Sequence, residues 1–195
     1  MMNEKDKHSK LPRGIRNNNP GNIRHSKDVW QGQSKTQTDS AFVQFNDPVY
    51  GLRALMKLVL NYQRKYGLNS VKKIIDRWAP PVENNTDAYI TNVAQHMGVK
   101  PTTPIDLEDH TTLIRLAKHI TLHENGKPQN HDSTHAYWYQ EQLYLQASEL
   151  ALGKPVPARK ITVDHIEIVE PKTIKCPFLR LLNTIKNSFT SGRNI

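Results

Sequence analysis

A single isolated glutamate is the first candidate for catalysis. Glu83 is the only glutamate between Glu4 and Glu108. It lies between an Ala-Pro-Pro bend and an Asn-Asn-Thr segment, and the aromatic residues Trp78 and Tyr89 flank it. A sugar-cleaving enzyme needs a proton-donating carboxyl, amides that bind the saccharide and aromatic rings that shield it. These residue types therefore predict a glycoside-cleaving site with Glu83 as general acid.

The same segment also has a purely structural interpretation. The two prolines would end one helix, and Asn85 or Thr86 would cap the next. For acid catalysis the pKa of Glu83 must rise above its usual value of about 4.3, which burial against Trp78 and Tyr89 would achieve. The dipole at the start of the following helix acts in the opposite direction, since it favours the ionised carboxylate. Desolvation has to outweigh that dipole for the catalytic interpretation to hold.

The number of nearby acids bears on the type of reaction. A hydrolase requires a second carboxylate as nucleophile or base, and the candidates are Asp39, Asp76 and Asp87. A lytic transglycosylase uses one glutamate twice, first as proton donor and then as base toward the muramyl C6 hydroxyl, which closes a 1,6-anhydro ring. The scarcity of acids around Glu83 favours this second reaction.

Amide side chains are concentrated where a saccharide would bind. Asparagine and glutamine offer donors and acceptors to hydroxyl and acetamido groups, although each can instead serve in a turn or a helix cap. The candidate amides are Asn17, Asn18, Asn19, Asn22, Gln31, Gln33, Asn84 and Asn85. Together with the aromatic residues, the predicted substrate-binding set is Asn17, Asn19, Trp30, Trp78, Asn84, Asn85 and Tyr89.

Histidines four residues apart raise the question of a zinc site. His119 and His123 have that spacing on a predicted helix, and His131 and His135 repeat it. The residues around them do not form the HExxH order that places a base beside the ligands. We therefore expect no metal ligands, and the proposed chemistry needs no cofactor.

The positive charge of the chain is concentrated at its two ends. The formal net charge is +9, to which residues 1–35 and 154–195 contribute +5 each and residues 36–153 contribute −1. Basic ends favour contact with polyanions such as the bacterial cell wall or an anionic membrane, or simply keep the chain in solution. No predicted helix collects the basic residues and no nucleic-acid-binding motif is present, so nucleic acid is not an expected partner.

The sequence predicts neither a targeting signal nor a disulfide. The segment MMNEKDKHSK is hydrophilic rather than a secretory signal, and no apolar run is long enough for a transmembrane helix. Cys176 is the single cysteine, which excludes an internal disulfide. A protein acting in the periplasm or cell wall would then be virion-associated, released through a holin or delivered by a secretion system.

Helical periodicity predicts a mainly α-helical fold. Five helices are expected, at about 48–66, 70–79, 86–97, 106–125 and 134–151. The Asn-, Pro- and Gly-rich segment 13–25 predicts consecutive turns. Residues 22–46 predict a small, irregular β element with a short strand at 41–45.

One folded domain with two extensions is expected. Residues 1–12 have a disordered composition, 13–152 form the domain, and 153–195 begin with a linker and end in a basic segment. Within 172–195, helical spacing puts five apolar residues on one face: Phe178, Leu181, Leu182, Ile185 and Phe189. This extension would pack on the domain or bind a partner protein or a membrane surface.

Seven segments, taken together, resemble a known phage and prophage family. They are RGIRNNNPGNIR, WQGQ, DSAFVQF, GLRALMKLVLNYQRKYG, RWAPPVENNTDAYI, MGV and HENG, at 13–24, 30–33, 39–45, 51–67, 77–90, 97–99 and 123–126. The family is named after the virion-associated lytic enzyme of enveloped double-stranded RNA phages, and its members are often labelled virion structural proteins. The resemblance spans roughly residues 13–130, about two-thirds of the chain.

This resemblance implies cleavage of bacterial peptidoglycan by a helical α+β domain similar to lysozymes and lytic transglycosylases. It transfers the acid role to Glu83 in ENNT, with Glu124 in HENG as the second candidate. Related proteins have been described both as muramidase-like and as peptide-cleaving. The expected function is therefore glycan-strand cleavage by a lytic transglycosylase or muramidase. The alternatives are a stem-peptide endopeptidase and an inactive virion structural or adaptor protein.

Overall fold

Six α-helices form the framework of the part of the chain that the structure describes. The computed structural model describes residues 11–81, 85–128 and 137–157 of the 195-residue chain. In these ranges the helices are α1 Arg13–Arg16, α2 Pro48–Tyr66, α3 Val71–Trp78, α4 Thr86–Met97, α5 His110–Asn125 and α6 Glu141–Leu152. The prediction of a mainly α-helical fold is confirmed, whereas the predicted domain limits stay predictions. The segment 172–195 and Cys176 lie outside the described residues.

The longer helices begin and end at residues suited to those positions. Side-chain oxygens accept a hydrogen bond from a backbone N–H of the first turn at the caps Asp47, Ser70, Asn85 and Asp109. Left-handed glycines end three of the helices, namely Gly67, Gly98 and Gly153. These local signals are why the predicted extents of α2, α3 and α4 are confirmed.

Three helix predictions need correction. Helix α5 begins at His110 rather than near Asp106, because Asp109 provides the cap and Asp106 accepts a hydrogen bond from the Glu108 backbone. Residues 137–140 are not helical, and α6 begins only at Glu141. The segment 13–25 contains the single turn α1 in addition to the expected turns.

The predicted β element contains no strand ladder among the described residues. Only isolated bridges join Arg24 to Phe42 and Gln33 to Phe45 in this region. The backbone N–H and C=O of Gln44 instead pair with the side chain of Gln37, at 2.7 and 2.9 Å. The Gln44 carbonyl also accepts the Ser34 backbone N–H at 2.8 Å, while the Val43 N–H donates to the Ile23 carbonyl at 2.9 Å. The backbone of 41–45 thus pairs with several separate segments, and no continuous strand forms there.

The hydrophobic core surrounds α2. This helix packs against α5 and α6, while α3 packs on α4, and α4 and α6 pack on α5. Fully buried core side chains include Leu52, Leu55, Met56, Val59, Leu60, Ile74, Ile75, Tyr89, Leu113, Leu116, Ile120 and Tyr144. A smaller cluster of Ile23, Val43, Phe45 and Ala54 anchors the loops before α2. Trp78 packs against both clusters, which places the end of α3 beside those loops.

None of the helices in the described ranges has the length and apolar character needed to cross a lipid bilayer.

A buried histidine makes the stability of this core depend on pH. His119 on α5 is buried, with its ring centroid 5.0 Å from that of His96 and 5.8 Å from that of Tyr137. Desolvation, assisted by the positive charges of His96, Arg115 and Lys118, lowers its pKa from 6.5 to about 4. Because the unfolded chain protonates this histidine at higher pH than the folded chain does, acid favours unfolding.

We expect the free energy of unfolding to fall as the pH is lowered from about 6.5 toward about 4. His119→Gln should flatten this dependence, since the substituted side chain does not titrate. Urea unfolding midpoints at about pH 7 and about pH 5 provide the measurement. The exposed His25→Gln is the control and should keep the wild-type slope. An unchanged slope in His119→Gln would rule out His119 as the source.

Candidate functional site

A polar groove of about 290 Å³ lies where the Asn-rich loop after α1 meets the ends of α3 and α5. Helix α2 contributes one wall. The lining residues are Gly21, Asn22, Ile23, Arg24, Phe42, Leu58, Tyr62, Trp78, Ala79 and Glu124. Of these described lining residues, Glu124 alone has a carboxylate side chain.

Three side chains donate hydrogen bonds to the Glu124 carboxylate. The Trp78 indole Nε1–H lies 3.0 Å from Oε1, and the Tyr89 hydroxyl lies 3.2 Å from the same oxygen. The Asn22 amide Nδ2 lies 3.1 Å from the other oxygen, Oε2. Two aromatic donors and one amide thus fix a half-buried carboxyl at the groove.

The neighbours of Glu124 in the HENG segment hold this geometry. His123 stacks on Tyr89, with ring centroids 3.4 Å apart and an interplanar angle of 9°. Burial lowers the pKa of His123, although the charge of Glu124 opposes that shift. Burial, together with the charge of Glu124, raises the pKa of Tyr89 well above its usual value. The phenol therefore stays a neutral hydrogen-bond donor across the physiological pH range.

Asn125 ties the end of α5 to the Asn-rich loop. Its buried Nδ2 donates to the backbone oxygens of Pro20, at 2.8 Å, and Thr121, at 3.0 Å. Pro20 is two residues before Asn22, so this contact sets where the Asn22 amide meets Glu124. Gly14 of α1 packs closely against both asparagines. A Cβ at this position would lie 2.4 Å from Asn125 Oδ1 and 2.6 Å from Asn22 Oδ1, so a larger residue would displace these side chains.

Comparison with known proteins gives this chain a relative among phage proteins. No protein-family model matches it. It is 37% identical over 123 residues to Protein P5 of Pseudoalteromonas phage PM2, an alignment that covers 62% of this chain and 76% of the phage protein. The chain belongs to the family of phage PM2 Protein P5. The expected phage relationship is thereby confirmed, while the name of the relative states no activity.

Three residues that the sequence suggested for catalysis or binding meet at the Glu124 groove: Trp78, Tyr89 and Glu124. Asn22 joins them, and it was among the amides that the sequence made candidates. The first-choice acid, Glu83, and the predicted binding residue Asn84 lie outside the described residues. Glu124 is therefore the candidate acid whose surroundings can be described.

Two asparagines expected to bind substrate hold the loop instead. Asn19 is fully buried, and its amide donates to the carbonyls of Ile23 and Val43 and accepts from the Ile23 N–H. Asn17 is also buried; it donates to Asp39 and accepts from Gln44. Because these amides are used inside the protein, we assign both residues a structural role.

The remaining two predicted binding residues lie away from the Glu124 carboxyl. Trp30 is half-buried against the small cluster under the loops, and its backbone N–H donates to Gln33. Asn85 is exposed and caps α4 through a 3.3 Å hydrogen bond from the Ala88 N–H. Neither of them lines the groove.

The aspartates considered as second carboxylates lie elsewhere. Asp39 accepts two hydrogen bonds from Arg13, at 2.7 and 2.6 Å, which chiefly hold its pKa well below the usual range. Asp76 pairs with Lys72 at 2.9 Å, and Asp87 is exposed in the first turn of α4. None of the three lines the Glu124 groove.

The histidines do not assemble as ligands in the described part of the chain. His119 is buried beside His96 and Tyr137, whereas His123 stacks on Tyr89. Within the described ranges no group of three or more His, Cys, Asp or Glu side chains is placed to hold a metal ion. His131 and His135 lie outside those ranges.

Proposed function

We propose that this chain cleaves the glycan strand of bacterial peptidoglycan, with Glu124 as general acid. The observation that supports this proposal is the carboxyl of Glu124, held in a groove by the donors of Trp78, Tyr89 and Asn22. A proton donor in a fixed position beside aromatic and amide groups is what glycosidic bond cleavage requires. That the substrate polymer is peptidoglycan is inferred from the resemblance to phage lytic enzymes.

The two oxygens of Glu124 have different surroundings, and this difference suggests where the proton resides. Oε1 accepts from both Trp78 and Tyr89, whereas Oε2 accepts only from Asn22 among the described residues. Oε2 therefore has more capacity to carry the acidic proton.

In the proposed reaction, Oε2–H protonates the glycosidic oxygen as the bond to the muramyl C1 breaks. The resulting carboxylate then removes a proton from the muramyl C6 hydroxyl, whose oxygen attacks C1 and closes the anhydro ring. A muramidase would use water in place of that hydroxyl. Because Glu124 is the carboxylate among the described lining residues, the single-carboxylate route is the one we favour.

The proposed site of action is the periplasm or cell wall, with peptidoglycan as the partner. The phage relative favours delivery by a phage, in the virion or through a holin, over delivery by a secretion system. Trp78 and Tyr62 would give the sugar rings aromatic contacts, and Tyr89 would act beneath the surface, where it orients the carboxyl.

A structural virion protein is the second candidate, and one observation favours it. All three hydrogen bonds to Glu124 come from within the protein, an arrangement that also serves simply to tie α3, α4 and α5 to the loop. In that case the site would be a buried polar network, and the chain would bind or assemble without cleaving anything.

Product analysis distinguishes these functions. Purified sacculi are incubated with the full-length protein, and the soluble fragments are identified by mass spectrometry. Anhydro-muropeptides indicate a lytic transglycosylase, reducing sugar ends indicate a muramidase, and new amino termini without new sugar ends indicate an endopeptidase. If the protein releases no fragments while a lysozyme control clears the wall, the result supports the structural virion protein over all three enzymes.

A further inference from the structure

A second groove adjoins the groove that contains Glu124. Its volume is about 650 Å³, and it is lined by Tyr62, Leu68, Lys73, Asp76, Arg77 and Pro80. Tyr62 lines both grooves, and Ala79 of the first directly precedes Pro80 of the second. A polymer bound at Glu124 would therefore reach the second groove with groups attached near the reacting sugar.

Two cationic side chains line this second groove. The Arg77 guanidinium lies 4.1 Å from the centroid of the Tyr66 ring and 5.1 Å from that of Tyr62. Stacking on two aromatic rings fixes the position of the cation while Arg77 remains exposed at the surface. Lys73 lies one helical turn earlier on α3, with Nζ 3.5 Å from Asn69 Oδ1.

The one acid among the described lining residues is already paired. Asp76 accepts a hydrogen bond from Lys72 at 2.9 Å, so its charge is offset by a cation outside the groove. Lys73 and Arg77 therefore give the described part of the lining a positive charge. An arginine held by stacking can present its planar fork to a carboxylate or a phosphate, and both of these oxyanions fit such a site.

We propose that this second groove binds a carboxylate of the peptidoglycan stem peptide. The inference rests on the proposed function, because the stem peptide is attached to the same strand that Glu124 would cleave. A wall phosphate shares the oxyanion chemistry, but the stem peptide is covalently held next to the reacting muramyl residue. That attachment raises its effective concentration at the neighbouring groove.

The kinetic test compares glycan that bears stem peptides with glycan from which an amidase has removed them. The quantity measured is kcat/KM for the first substrate divided by kcat/KM for the second. Arg77→Gln should lower this ratio about tenfold, the size expected for loss of one hydrogen-bonded charge. Lys100→Gln removes an exposed charge that lines neither groove and should leave the ratio at the wild-type value. An unchanged ratio in Arg77→Gln would overturn the inference.

A binding test does not depend on cleavage. Glu124→Gln protein is titrated with a soluble disaccharide that bears the peptide, and with the same disaccharide without it. Tighter binding of the peptide-bearing form, lost when Arg77→Gln is added to Glu124→Gln, supports the proposal. Equal binding of the two forms contradicts it, and so does Arg77-dependent binding of inorganic phosphate alone. If the peptide preference is present but the wild type cleaves no wall, the proposed function fails and the binding site stands.

Discussion

Replacement of Glu124 by glutamine is expected to reduce wall cleavage by about 10³-fold, because the variant has no proton to donate to the glycosidic oxygen. The fold should be retained. The new glutamine keeps the shape of the side chain, and its oxygen can still accept from Trp78 and Tyr89. Its amide would face Asn22, whose own amide can turn to offer Oδ1, an oxygen with no hydrogen-bond partner in the described structure. Dye release from labelled sacculi gives the rate, and thermal unfolding gives the stability.

Two matched variants separate the role of Glu124 from those of its surroundings. Glu83→Gln tests the acid that the sequence favoured first; if it abolishes cleavage while Glu124→Gln remains active, the assignment to Glu124 is wrong. Trp78→Phe keeps an aromatic ring in the groove but removes the N–H that donates to Oε1. Loss of this one donor should slow cleavage by about tenfold, far less than loss of the acid itself.

The helices could be predicted because their signals are local in sequence. Helix α2 has its cap at Asp47, a proline at its first position and a left-handed glycine at Gly67, all within the helix or next to it. Where a prediction failed, a competing local group was present. Asp109 caps α5, which was expected to begin near Asp106. In the predicted strand, the backbone of Gln44 pairs with both the Gln37 side chain and the Ser34 backbone N–H.

The site could be predicted only in part, because its contacts join distant parts of the chain. Glu124 is 46 residues from Trp78, 35 from Tyr89 and 102 from Asn22, so no spacing rule connects them. Only the resemblance of the HENG segment suggested Glu124. The asparagines show a second difficulty, since residue type does not tell whether an amide faces a ligand or holds a loop. Asn19 holds the loop with all its hydrogen bonds, whereas Asn22 faces the candidate acid.

Substitution of alanine for Gly51 is expected to destabilise the protein by about 3 kcal/mol or more. Gly51 lies in the first turns of α2, directly beneath the Asn-rich loop. A Cβ at this position would lie 1.8 Å from the backbone oxygen of Asn18 and 3.0 Å from Pro20 Cδ. Helix propensity alone predicts the opposite sign, since alanine is favoured over glycine inside a helix by about 1 kcal/mol. The sign of the change in stability therefore distinguishes the effect of the loop packed on the helix from that of helix propensity.

The opposing atom in this overlap is backbone, which makes the overlap hard to relieve. Asn18 is in the left-handed region, with φ of 51°, and its side chain donates to the Phe45 carbonyl at 3.0 Å. Moving its oxygen away would shift the loop that carries Asn22, so Gly51→Ala should also weaken cleavage if Glu124 is the acid. Gly67→Ala is the control: its Cβ meets no atom within 4 Å, and only the strain of a left-handed alanine, about 1 kcal/mol, is expected. Urea unfolding should rank Gly51→Ala as the less stable of the two. A Gly51→Ala protein as stable as the wild type would show that the loop can leave α2 without cost, and the loop could not then hold Asn22 against Glu124.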